Sequence, residues 1–155
     1  MKTLIICISH HHGNTRKVAE SIASVLDAKL VEPDKVDLNS LSEYELIGFG
    51  SGIYFGKHDK TLFELIHKIP HINKNAFIFS TRGSFILPSG HGALRKSLQG
   101  KGFRIVGEFA CRGFDTNGLL KFIGGISKGR PNENDLKKAE EFANTLRTKP
   151  IKASS

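Results

Sequence analysis

Thr3-Leu4-Ile5-Ile6-Cys7-Ile8-Ser9-His10-His11-His12-Gly13-Asn14-Thr15 is the stretch on which the fold turns. Thr3 to Ile8 is almost wholly apolar and rich in isoleucine, as in a parallel strand covered on both faces. A short polar loop follows. Asn14 to Asp27 then carries Val18, Ile22, Val25 and Leu26 on one helical face. A buried strand running directly into a helix places unsatisfied backbone N–H groups and the positive end of the helix dipole at the loop, which makes an anion site. Gly13 permits the tight turn, and the Asn14 and Thr15 side chains can donate further hydrogen bonds. No lysine follows the loop as in a nucleoside-triphosphate P-loop. A single phosphate held by neutral donors fits the stretch best.

Outward from this unit, short apolar runs alternate with amphipathic ones. Lys29 to Glu32 is a weak second strand ended by Pro33 and Asp34, and Asp37 to Glu45 is a polar return. Leu46 to Gly50 reads as the third strand and Ala76 to Ser80 as the fourth. Between them Lys60 to Ile69 is helical, with Leu62, Leu65, Ile66 and Ile69 inward and Pro70 as the stop. A helix from His91 to Leu98 buries Ala93, Leu94 and Leu98, and Phe103 to Ala110 alternates as a more exposed fifth strand. Arg112 to Arg130 holds five glycines and no period. The last helix starts after Pro131, capped by Asn132 or Asn134, and buries Leu136, Ala139, Phe142, Ala143 and Leu146. Residues 1–148 form one α/β domain, with 149–155 a loose tail.

This order predicts a doubly wound, five-stranded parallel sheet, strand order 2-1-3-4-5, with helices on both faces. Its ligand crevice lies beyond the carboxyl ends of the first, third and fourth strands, hence at Ser9–Thr15, Ser51–Asp59 and Thr81–Ser89. Gly48-Phe49-Gly50-Ser51-Gly52 follows the wrong strand and lacks the third glycine of a dinucleotide fingerprint.

Composition narrows the classes. The chain has 155 residues, enough to bury a core without staples, and no apolar run nears the ~20 residues of a bilayer span. The apolar start is too short for a signal peptide and no small-residue cleavage site follows it, so it reads as a strand of a cytoplasmic protein. Cys7 and Cys111 are too few and too far apart for a disulfide framework or zinc site and read as buried thiols. The net charge of +8 is scattered, without basic blocks or aromatic-basic signatures. It reads first as a solvated basic surface; the scatter argues against nucleic acid, and an acidic protein partner or an anionic cofactor would use the same charge.

Gly13-Asn14-Thr15 after a strand and a polar loop resembles the phosphate-loop motif of the flavodoxin family, and the order of elements matches over residues 1–147. The resemblance implies an FMN cofactor whose phosphate is wrapped by Ser9, His10, His11, His12, Gly13, Asn14 and Thr15. It also implies a second flavin loop made by Ser51, Gly52, Ile53, Tyr54, Phe55 and Gly56, where an aromatic residue stacks on the ring: Tyr54 first, Phe55 second. A third loop, Thr81, Arg82, Gly83 and Ser84, would contact the pyrimidine edge through its backbone. The chain departs from the family in its three histidines where hydroxyl residues are usual, in lacking the third loop's tyrosine (Phe85 is nearby), and in being basic.

The histidines have three readings: phosphate donors, plain loop residues, or metal ligands. The first implies FMN binding that weakens as pH rises through about 7. Lys57, His58 and Arg82 outnumber Asp59 around the expected ring, so reduction should be easier than in acidic relatives, by roughly 50–100 mV per cation. The leading function is an FMN electron carrier serving an acidic redox protein or a small-molecule acceptor. The alternatives are an FMN oxidoreductase acting on a quinone or porphyrinogen, and a flavin-free binding module. Ser51 and Ser84 lack a nucleophile elbow, and a lone His91 in a loop reads as polar surface.

Overall fold

The computed structural model describes residues 1–10, 12–83, 90–113 and 128–149. Its strands are β1 (Thr3–Ile8), β2 (Lys29–Val31), β3 (Leu46–Tyr54), β4 (Lys57–His58), β5 (Asn75–Arg82) and β6 (Arg104–Arg112). Its helices are α1 (Asn14–Leu26), α2 (Lys60–Lys68), α3 (Gly92–Gly100) and α4 (Glu133–Thr148). The main sheet runs β2-β1-β3-β5-β6, all parallel, and the short β4 pairs antiparallel with the end of β3. Apart from β4, this is the expected doubly wound order.

Alternation along β1 divides the core. Leu4 and Ile6 face α2 and α3, packing with Phe49, Leu62, Ile66, Leu94 and Leu98. Ile5 and Cys7 face α1 and α4, packing with Val18, Ile22, Phe77, Phe79, Ala139 and Ala143. Both faces of the central strands are thus dry, which is why they read as continuous apolar runs. Ala93 is exposed, contrary to expectation, because the apolar stripe of α3 is only Leu94 and Leu98 wide. The polar return, 37–45, is not irregular throughout: Leu38–Glu43 forms a 3-10 turn, and Leu41 inserts into the core.

Of the two candidate caps for α4, Asn132 is the one used. Its side chain accepts from the Asp135 N–H at 3.0 Å, and the Asp135 carboxylate accepts from the Asn132 N–H at 2.8 Å.

The glycines of β3 have a packing role. A Cβ on Gly48 would lie 2.3 Å from the Phe77 ring, and one on Gly50 2.2 Å from the Phe79 ring. Those pairs are direct neighbours across β3 and β5. The two rings occupy the space that side chains at Gly48 and Gly50 would fill.

Candidate functional site

Three segments meet beyond the carboxyl ends of β1, β3 and β5. In the first, Gly13 has φ +67° and caps α1 without a side-chain hydrogen bond. Its N–H donates to the His10 carbonyl at 3.4 Å, and the Arg16 N–H donates to Ser9 Oγ at 3.2 Å. No acidic residue occupies the first turn of α1, so no carboxylate there offsets the positive end of the helix dipole. Gly113, after β6, presses on this turn: a Cβ there would meet the Asn14 side chain at 2.7 Å. Thr15 is buried, and its hydroxyl pairs with that of Thr81 at 2.8 Å, joining the first segment to the third.

The second segment is not a plain loop. Ser51, Gly52, Ile53 and Tyr54 continue β3, and the chain reverses at Phe55-Gly56 into β4. Both turn residues have positive φ, 53° and 78°, the backbone of a two-residue hairpin turn matched to strand twist. Glycine is at home there, whereas an aromatic residue is strained. Phe55 is nonetheless 96% exposed at the tip, while the Tyr54 ring is half-buried and folds back over Gly52. β3 runs on to Tyr54, past the Gly50 end that the sequence pattern predicts, although glycine weakens a strand. Here cross-strand rings compensate for the missing side chains.

Asp59 ties these two segments together. One carboxylate oxygen caps α2, accepting from the Thr61 N–H at 2.9 Å and hydroxyl at 2.8 Å. The other lies 2.8 Å from His10 Nε2. Burial pushes the Asp59 carboxyl up, but Thr61 and His10 together outweigh it and hold it below its usual range. Of the three histidines, His10 is therefore placed against a carboxylate and His12 is exposed. His11 lies outside the described residues. Asp59→Ala should cost about 1–2 kcal/mol through the lost cap. Asp59→Asn, which can still cap, should recover most of that in urea unfolding. Equal losses in the two variants would assign the stability to the His10 contact instead.

In the third segment Thr81, Arg82 and Gly83 lie at the end of β5, and the Arg82 carbonyl accepts from the Gly113 N–H at 2.9 Å. Ser84 and Phe85 lie outside the described residues.

Beneath the hairpin is a polar array that sequence reasoning missed. His91, read as surface, is 3% exposed, and His58, counted among the site's cations, is 4% exposed. Ser80 Oγ lies 2.6 Å from His91 Nε2, and His91 Nδ1 lies 3.1 Å from Glu108, which Arg95 also grips. Arg95 and His91 outweigh the effect of burial and keep Glu108 ionised, so it can only accept. His91 therefore carries its proton on Nδ1 and accepts from the Ser80 hydroxyl on Nε2. That is the polarity of a nucleophile–base–acid set, but Ser80 has no exposed surface and cannot meet a substrate.

The His58 ring is 5.1 Å from the His91 ring, and its Nδ1 lies 2.8 Å from Ser51 Oγ. Burial, helped by the neighbouring imidazole, pushes the His58 pKa down to about 3. His58 is consequently neutral, and the site has one cation fewer than its residue types suggest. No sequence signal marked the pair, because seven and eleven residues separate His58 and His91 from their serine partners and only strand pairing brings Ser51 beside Ser80.

Cys7 and Cys111 are buried, and burial pushes both thiols up to about 12. Among the described residues no group of three His, Cys, Asp or Glu side chains has metal-binding geometry, and no helix is long and apolar enough to cross a membrane.

Comparison with known proteins identifies the family. Residues 5–86 match the model of a flavodoxin domain. The chain belongs to the flavodoxin family. This flavodoxin-family chain is 51% identical over 147 residues to an uncharacterised protein of Methanocaldococcus jannaschii, covering 94% of this chain and 98% of that one. Its fold resembles flavodoxin 2 from Bacillus cereus (TM-score 0.70, 20% identity, 95% and 98% of the two chains). It also resembles a flavodoxin from the domain Archaea (TM-score 0.69, 17% identity, 94% and 96%). At those identities the likeness is one of fold.

Proposed function

We propose that this flavodoxin-family protein binds FMN and passes electrons to an acidic redox protein or a small-molecule acceptor. The carrying observation is the convergence of an acid-free helix start at Gly13 and a strained, exposed aromatic at Phe55, joined through His10 and Asp59. A helix start without carboxylates suits a phosphate. An aromatic ring held at a costly φ, with almost no contact to the core, suits a planar ligand rather than packing.

Ser9, Gly13, Asn14 and Thr15 would hold the phosphate. Thr15 would do so through its backbone N–H, because its hydroxyl is committed to Thr81. Tyr54 and Phe55 would flank the ring, and the backbone of residues 81–83 would meet its polar edge. When bound, the flavin supplies one- and two-electron chemistry. The protein's part is to bind it, exclude water from it and set its charge environment. With His58 neutral, Lys57 and Arg82 remain as the nearby cations against Asp59, which still favours the reduced, more negative cofactor.

The test is an absorption spectrum of the purified protein before and after addition of FMN, repeated on Phe55→Gly. Flavin bands that survive desalting are expected for the parent. Phe55→Gly should be at least as stable, since it relieves the left-handed φ, yet bind FMN about threefold to tenfold more weakly from lost stacking. A flavin-free spectrum with no binding on titration ends this reading and leaves the fold in place.

A further inference from the structure

A cleft of about 220 Å³ opens on the opposite side of β1 from the aromatic hairpin, where β1 and β2 end. It is lined by Cys7, Ser9, Arg16, Leu30, Val31, Glu32 and Lys35; the Cys7 and Leu30 side chains share the sheet face that packs α1, and Val31 belongs to the other face. Pairing of β1 with β2 ends at Ile6 and Val31, so Cys7 and Glu32 are the next residues of each strand. Ser9 lines this cleft and also belongs to the loop that opens α1, where it accepts the Arg16 N–H. The cleft therefore adjoins the anion site without being part of the crevice between β1 and β3.

We propose that this cleft binds a ribonucleotide, with Glu32 accepting hydrogen bonds from the ribose hydroxyls and Arg16 and Lys35 facing phosphate. Three observations carry it. First, Glu32 stands at the end of the second strand, nineteen residues after the tight-turn glycine Gly13. In doubly wound sheets an acidic residue at that place, about 20 residues beyond the glycine turn, reads the ribose diol. Second, the charges are mixed in the required sense: one carboxylate for neutral hydroxyls and two cations for phosphate. Neither cation is locked away, for Arg16 shares Glu20 at 56% exposure and Lys35 only approaches Asp34 at 3.9 Å. Third, the Cys7 and Leu30 side chains, on one face of the sheet, offer an apolar surface for a base. The volume is below the ~300 Å³ of typical whole-ligand pockets, which suits half of a dinucleotide.

The glycine fingerprint of dinucleotide folds is missing here, so the phosphate would rest on the single turn at Gly13 and on the two cations. The nucleotide has two possible sources. It is either the adenylate half of a flavin adenine dinucleotide whose flavin lies across β1, or a free nucleotide. The cleft does not depend on the flavin reading.

The experiment is calorimetric titration of the purified full-length protein with AMP, 2′-deoxy-AMP, FMN and FAD, repeated on Glu32→Gln and Lys35→Ala. AMP should bind with millimolar or tighter affinity. Loss of the 2′-hydroxyl, or Glu32→Gln, should weaken it about fivefold or more, the effect of leaving one hydrogen-bonding group unpaired. Lys35→Ala should weaken AMP and leave FMN binding unchanged. FAD binding about tenfold tighter than FMN, with the difference abolished by Glu32→Gln, would identify the source as FAD. AMP binding without an FAD preference would identify a free nucleotide. AMP binding in a protein that takes up neither flavin would uphold the cleft and end the FMN proposal. No AMP binding together with no preference for FAD over FMN overturns the inference, as does AMP binding that ignores both the 2′-hydroxyl and Glu32.

Discussion

Gly50→Ala should destabilise the protein by about 3 kcal/mol, the upper end of what overpacking a core costs. The added methyl would lie 2.2 Å from two carbons of the Phe79 ring, well inside contact distance. Phe79 has no exposed surface and sits 6.0 Å from the equally buried Phe77 ring, which in turn meets Phe142 on α4. The ring thus has nowhere to go without moving a second ring and a helix. Urea unfolding measures the loss directly. Phe79→Leu in the Gly50→Ala background should recover part of it, because the smaller side chain vacates the contested volume. Gly92→Ala is the control: a Cβ there meets nothing within 4 Å, and alanine favours the first turn of α3. A midpoint shift in Gly50→Ala no larger than in Gly92→Ala would mean the rings do not hold β3 as described.

Between pH 8 and pH 5 the protein should lose about 2 kcal/mol of stability through His58 alone. In the fold this imidazole is neutral, its pKa pushed down to about 3 by burial. In the unfolded chain it titrates near 6.5. The unfolded state therefore gains a proton first as pH falls. The contribution is complete above about 6.5 and drains away from there toward pH 3. His91, also pushed down by burial although Glu108 opposes the shift, acts in the same direction. Urea unfolding at the two pH values, on the parent and on His58→Gln, tests this. The glutamine variant should be less stable at pH 8, having lost the Ser51 contact made by a fitted ring, but its stability should fall much less between pH 8 and 5. If both proteins lose stability equally over that range, His58 is not the buried neutral group described.

The doubly wound sheet was legible from the chain because its information is local. The isoleucine-rich run from Thr3 to Ile8 has the pattern of a strand dry on both faces, and Gly13-Asn14-Thr15, following it after a short polar loop, marks the helix start. The apolar faces of α1, α2 and α4 repeat at helical spacing, and Pro70 and Pro131 punctuate them. Strand order follows from alternation of strands and helices together with the single hand of their crossovers. What local pattern could not supply is anything that depends on which strands lie side by side. Gly48 and Gly50 look like strand breakers until Phe77 and Phe79 are seen to be their neighbours. His58 looks like a surface cation and His91 like a loop histidine. Pairing of Ser51 with Ser80 then brings the two rings within 5.1 Å of each other and lets Glu108, from a third strand, choose the tautomer of one of them. Charge, protonation and backbone strain at this site arise from contacts between residues far apart in the chain. They are fixed by burial and by cross-strand geometry, neither of which is written in any short window of sequence.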